Sequence, residues 1–94
     1  MTDKTTNLAE IRNLISKFLQ HQISVQEFCD TFETIWNFNF DKKQIDIEKF
    51  EGLDFLFDEV VLFCPAPRTQ WEYPKYRDEY EIRAASEKIF RLID

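Results

Sequence analysis

At 94 residues, with ten Phe, three Tyr, two Trp, three Pro and a single Gly, the chain suits one domain with one modest, aromatic-rich core and lacks the turn residues of an all-β fold. Its formal net charge of −6 argues against direct nucleic-acid binding, because phosphates repel it, and no apolar run approaches the ~20 residues that span a membrane. The opening MTDKTTNLAE lacks the basic-then-apolar pattern of a secretory signal, so a cytoplasmic protein is expected, with Cys29 and Cys64 kept as thiols.

Residues 1–6 are polar and expected to fray. The first predicted helix runs from about Asn7 to Gln20, with Asn7 and Glu10 as a capping pair and Leu8, Ile11, Ile15, Phe18 and Leu19 on the apolar face. His21-Gln22 is a polar break. Ser24-Val25-Gln26-Glu27 then reads as a capping box, with Ile23 and Phe28 placed as a hydrophobic staple. It opens a second helix over about Val25–Phe38, with Phe28, Phe32 and Ile35 inward. So short a connection favours an antiparallel neighbour. In Asn39–Ile45, Asp41 is a candidate cap for an early helical turn, and Asp46 is the alternative cap for the third helix.

The third helix, predicted over Asp46–Cys64, is the stretch around which the rest is organised. Phe50, Leu53, Phe57, Val60, Val61 and Cys64 share one face at 100° per residue. Glu51, Asp54 and Asp58 form a second line beside it, with Phe55 and Leu62 on the same flank. Pro65 disfavours helix at Cys64 and is expected to end it. Gly52 within it costs roughly 1 kcal/mol relative to Ala. Residues 65–75 form a loop punctuated by three prolines. Its Trp71 and Tyr73 either lie back on the bundle or form a contact surface. The last helix is predicted from Arg77 or Asp78 to Ile93, with Asp78, Glu79 and Glu81 at its positive end and Ile82, Ala85, Ile89 and Leu92 or Ile93 inward. Four amphipathic helices with short connections give an all-α class, a small antiparallel four-helix bundle.

The surplus negative charge is local. Residues 46–63 carry six acids against one base, net −5, whereas residues 1–45 carry −1 and residues 64–94 carry 0. A localised field of this kind steers a basic partner; the alternative is a solvated outer face. Catalytic and metal chemistry find little footing. His21 is the only histidine, and both cysteines sit among apolar residues, where core thiols are inert. His21, Cys29 and Cys64 lack the paired spacing of a structural zinc site. Glu51, Asp54 and Asp58 belong to no calcium loop. No cofactor or metal is expected.

LISKFLQHQISVQEFCDTF, FEGLDFLFDEVVLFCP and EIRAASEKIFRL, in that order, resemble the first two, third and last helices of colicin D-type immunity proteins. The resemblance covers most of residues 8–93, with residues 37–47 and 66–76 unmatched. It implies a four-helix bundle that binds and neutralises a toxin nuclease domain cutting transfer RNA, delivered by a colicin or a contact-dependent inhibition system, by covering its basic cleft with an acidic surface. Asp54 stands at the family's acid position before Leu56-Phe57. Acids common in the family around the closing proline are replaced here by Cys64-Pro65-Ala66, so that part of the interface either differs or is supplied by Asp58 and Glu59. DNase-type colicin immunity proteins are also acidic four-helix bundles, but their paired-tyrosine motif is absent.

The expected function is therefore a non-enzymatic toxin inhibitor, monomeric and binding its toxin 1:1, with no direct nucleic-acid or membrane contact. Glu51, Asp54, Asp58 and Glu59 are the main candidates for the toxin-binding surface, with Phe55 as an apolar anchor. Glu72, Tyr73, Asp78 and Glu79 are secondary candidates on the loop and the start of the last helix. A generic helical adaptor, bound through apolar surface, is the alternative.

Overall fold

The structure, a computed structural model, describes residues 6–93; residues 1–5, expected to fray, and Asp94 lie outside the described residues. Within them the chain forms α1 (Leu8–Leu19), α2 (Val25–Thr34), α3 (Ile47–Val61) and α4 (Glu79–Leu92), and no strand. Each helix opens on a side chain that accepts a hydrogen bond from the backbone N–H three residues on. The pairs are Asn7 with Glu10 at 2.9 Å, Ser24 with Glu27 at 3.1 Å, Asp46 with Lys49 at 2.9 Å and Asp78 with Glu81 at 2.9 Å. Each satisfies one of the amide donors that a helix start leaves over. Asp78 completes a reciprocal box, its own N–H donating to the Glu81 carboxylate at 3.3 Å.

The helices pack in a ring, α1 on α2, α2 on α3, α3 on α4 and α4 on α1. Ring contacts show that neighbours run antiparallel. Phe18 at the end of α1 stacks on Phe28 at the start of α2, with centroids 4.4 Å apart. Trp36, just past α2, meets Phe50 near the start of α3 at 5.7 Å. Gly52, early in α3, faces Ile89 and Leu92, late in α4, and a Cβ there would run into Leu92 Cδ2. Gly52 thus does more than weaken a helix: its missing side chain lets α3 and α4 approach closely.

An aromatic column runs along the inner side of α2. Phe18, Phe28, Phe32, Trp36 and Phe40 follow one another with centroids 4.4 to 6.3 Å apart. The last four are spaced by four residues. At 3.6 residues per turn each such step overshoots by about 40°. The chain absorbs the overshoot by widening: Ile35–Asn39 continues α2 as a π-helical segment. The second predicted helix therefore runs one residue past its expected end at Phe38, but with Trp36 buried and Ile35 only half-buried. Phe38 is turned outward, 81% exposed.

Both capping expectations between α2 and α3 hold together. Asp41 accepts from the Lys43 N–H at 2.9 Å to open the 3₁₀ turn Lys42–Gln44, and Asp46 caps α3. Thr6 departs from the expected fraying. It is buried, its N–H donates to the Asn39 carbonyl at 2.6 Å, and it bridges to Phe40.

α3 ends at Val61, three residues before the expected stop. The Arg77 N–H donates to the Leu62 carbonyl and the Cys64 N–H to the Arg77 carbonyl, both at 2.9 Å. The resulting bridge between Phe63 and Arg77 draws the backbone out of the helix. Pro65 restrains only Cys64. The core side of α3 is also rotated from the predicted stripe. Leu53, Leu56 and Val60 are buried, Phe50 and Phe57 are half-buried against them, and Val61 is 51% exposed. In α4, Ile82, Ala85, Ile89 and Ile93 point inward as predicted.

Candidate functional site

The rotation of α3 decides what it shows to solvent. Ile47, Glu51, Asp54, Asp58 and Val61 recur at i, i+4, i+7, i+11 and i+14, a single strip opposite the buried face. Ile47 is 70% and Val61 51% exposed, and Glu51 and Asp58 are exposed between them, with Asp54 half-buried. Phe55, 40% exposed, stands on the flank toward α4. Three carboxylates are thus bracketed by two solvent-facing aliphatic side chains.

The carboxylates of α3 and α4 divide into two sets. On the α4 side, arginines occupy them. Glu59 is bound by Arg77 Nε at 2.8 Å, Asp78 by Arg68 at 2.8 Å, Glu79 by Arg83 at 2.9 Å and Glu87 by Arg91 at 2.7 Å; Arg68 also reaches Glu81. Glu48, Glu51, Asp54 and Asp58 have no ion-pair partner among the described residues. Neighbours at i,i+3 and i,i+4 lie about 5–6 Å apart at Cβ, so these four charges repel one another along one face of the free protein.

The other predicted residues fall into place around this strip. Glu59 faces Arg77 and is only 15% exposed at its side chain, which makes it a brace between the end of α3 and the approach to α4. Asp78 is the α4 cap. The Glu81 N–H, and then Arg68, hold its carboxyl below the usual aspartate range. Glu79 is tied to Arg83, whose Nη1 also donates to the Phe18 carbonyl at 2.7 Å, clipping the end of α1 to α4. Glu72 is exposed on the loop. Tyr73, 43% exposed, packs edge-on against Tyr76 at 5.2 Å. Trp71 is held inside the same loop, donating to the Ala66 carbonyl at 2.8 Å beneath the Arg68 guanidinium.

The thiols and the histidine are separately accounted for. Cys29 is buried, and that burial, reinforced by Glu33 and Asp30, pushes its pKa up to about 12. Cys64 is half-buried and His21 exposed. Among the described residues no group of three or more His, Cys, Asp or Glu is arranged to hold a metal ion. Among the described residues no helix is long and apolar enough to cross a membrane.

A comparison with family models decides the identity at the level of family. The model described as bacterial self-protective colicin-like immunity matches residues 6–93. The chain belongs to that family. Members of the colicin-like immunity family neutralise a toxin, so the chain is a toxin-neutralising immunity protein that binds a cognate toxin protein. No curated protein and no solved structure matches it.

Four exposed apolar residues of this immunity protein were not among the predicted site residues: Phe38, Ile47, Val61 and Tyr80, the last 80% exposed in the first turn of α4. The sequence holds a signal for Tyr80. It is out of phase with the Ile82, Ala85, Ile89 stripe, and an aromatic residue off the core phase of an amphipathic helix faces water unless a partner covers it.

Proposed function

We propose that the chain neutralises its toxin by non-covalent occlusion, laying the acidic strip of α3 over the basic cleft of a nuclease domain. The preferred target is a transfer-RNA-cleaving domain of the colicin D or contact-dependent inhibition kind, bound one to one in the cytoplasm without cofactor or catalysis. The observation that carries this reading is the segregation of charge. Arginines neutralise the carboxylates beside α4, while Glu48, Glu51, Asp54 and Asp58 keep their full charge on one exposed face. A ribonuclease cleft is shaped to receive a row of phosphates, and a row of uncompensated carboxylates offers the same sign at similar spacing. Glu51, Asp54 and Asp58 supply the charge, and Ile47, Phe55 and Val61 the apolar contact that charge alone lacks. Glu72 and Tyr73 extend the surface onto the loop. Glu59, Asp78 and Glu79, already engaged by arginines, act chiefly by holding the helices that present it.

The test is the double variant Asp54→Lys with Asp58→Lys. Surface substitutions of this kind change stability by only about 0.5 kcal/mol each, while like charges set opposite one another in an interface cost several kcal/mol. The variant is expected to fold and to melt at or above wild type, to lose binding to the cognate toxin domain, and to leave a cell expressing that domain unprotected. Full protection by the folded variant would reduce the strip to a solvated face. A helical adaptor bound through apolar surface is favoured instead if Ile47→Ser and Val61→Ser abolish binding that salt does not weaken.

A further inference from the structure

The acidic strip accounts for charge but not for the two aromatic rings beside it. Phe55 on α3 and Tyr80 on α4 line a groove between these helices, 40% and 80% exposed. Ala84 and Ala85 contribute only methyl groups to its lining, and the volume is about 300 Å³. That is the bottom of the range for small-molecule sites, so the groove has room for a side chain or two rather than for a cofactor.

Its electrostatics select the occupant. Lys88 sets its ammonium 5.0 Å from the Phe55 centroid, so the ring's electron-rich face already holds a cation. The carboxylates at the groove, Glu59 and Glu81, are taken by Arg77 and Arg68. An incoming lysine or arginine would meet a like charge there and find no free counter-ion. Immediately outside, Glu51 and Asp58 flank Phe55 at i−4 and i+3 and are unpaired. The groove therefore rejects the cations that its rim attracts. Aromatic rings favour other rings, in offset or edge-on contact, and such pairs add to the gain from burying the ring's area.

Building on the function proposed above, we propose that this α3/α4 groove is the anchor pocket for one aromatic side chain on the toxin domain, flanked on that domain by lysine or arginine residues that face Glu51 and Asp58. The rim sets the rate of encounter, and the groove sets how long the complex lasts.

Two variants test this against any toxin nuclease domain found encoded next to the chain, purified, with association and dissociation rates measured at low and high salt. Ala84→Trp fills the groove from an exposed position, and Tyr80→Ala removes one wall. Both leave every carboxylate in place. Each is expected to speed dissociation at least about 10-fold, as loss of a central anchor does. The association rate and its decline with salt should stay at wild-type values. Circular dichroism and melting of each free variant confirm the fold, and Tyr80→Ala decides the matter should Ala84→Trp fail to fold. Wild-type dissociation from Tyr80→Ala and folded Ala84→Trp would overturn the anchor while leaving the acidic strip in force. Loss of binding in these variants alongside full binding by Asp54→Lys with Asp58→Lys would overturn the strip and leave the anchor. A wild-type chain that does not bind that domain at all would overturn both.

Discussion

His21 adopts φ 61°, the left-handed region, at the turn from α1 to α2. The geometry follows from the connection. The His21 N–H donates to the Phe18 carbonyl and the Gln22 N–H to the Lys17 carbonyl, closing the end of α1 in the way that glycine usually does. An L-residue there costs about 1–2 kcal/mol, and glycine gives back about 0.4–1 kcal/mol through unfolded-state freedom. His21→Gly is therefore expected to stabilise the protein modestly, by up to about 1 kcal/mol, read as a higher melting temperature. Ser86 is a second single-residue liability. It is fully buried in α4, and its Oγ has no hydrogen-bond partner. A hydroxyl left so costs about 1–3 kcal/mol, and alanine is the better helix former. Ser86→Ala is expected to raise the melting temperature by several degrees, since about 1 kcal/mol shifts a domain of this size by roughly 4–8 °C. A lower melting temperature would mean that the hydroxyl is satisfied in solution. Cys29, with its pKa pushed up to about 12 by burial, is expected to resist alkylation at pH 8 until the protein is unfolded, because the thiolate is the reactive form.

At the scale of elements, the start of α4 concentrates the most local structure in the molecule. Asp78 caps it, closes the box with Glu81, and shares Arg68 with that residue. Asp78→Ala removes all three and is expected to cost about 0.5–2 kcal/mol at neutral pH. Asp78→Asn keeps the cap and loses only the charge, so it should cost less. The carboxyl's folded pKa lies below its unfolded value of about 3.9. Its stabilisation is thus complete above that value and lost as pH falls through the lower folded one. The gap between wild type and Asp78→Ala, measured by urea unfolding, should be constant from pH 7 to about 5 and narrow below about pH 4. The four helix starts were legible because a cap is a local event: a short polar side chain and an amide three residues on suffice. The rotation of α3 was not. Apolar residues fill eight of its fifteen positions, so more than one face can be drawn as a stripe. The close approach at Gly52 and the bridge at Phe63 choose among them through contacts with α4 and Arg77, more than ten residues away in sequence. The arginine that neutralises Glu59 was hidden for a related reason, whereas Glu79 and Arg83 stand at the i,i+4 spacing at which a helix pairs opposite charges. Glu59 meets Arg77 across the loop, and Arg83 is fixed in place by the end of α1.

At the scale of the whole molecule, the acidic strip is a feature that the free protein would be more stable without. Glu48, Glu51, Asp54 and Asp58 succeed one another at i,i+3, i,i+3 and i,i+4, and each such like-charge pair destabilises a helix by about 0.2–0.5 kcal/mol. With no cation among the described residues set against them, the strain totals about 1 kcal/mol. Beside α4 arginines relieve the same problem, whereas on α2 the row Glu27, Asp30 and Glu33 has no ion-pair partner among the described residues either. Leaving it unrelieved on α3, where the net charge is concentrated, makes sense if a basic partner relieves it on binding, in which case the repulsion is exchanged for affinity and a faster encounter. The triple amide variant, Glu51→Gln with Asp54→Asn and Asp58→Asn, separates this account from that of an idle surface. At low ionic strength it is expected to melt several degrees above wild type. The gain should shrink toward zero near 1 M salt, where screening acts within about 3 Å. The same variant should associate with the toxin domain more slowly than wild type, with a flatter dependence on salt, and should protect cells poorly. A variant that is more stable and protects as well as wild type would show that the repulsion on α3 serves no partner.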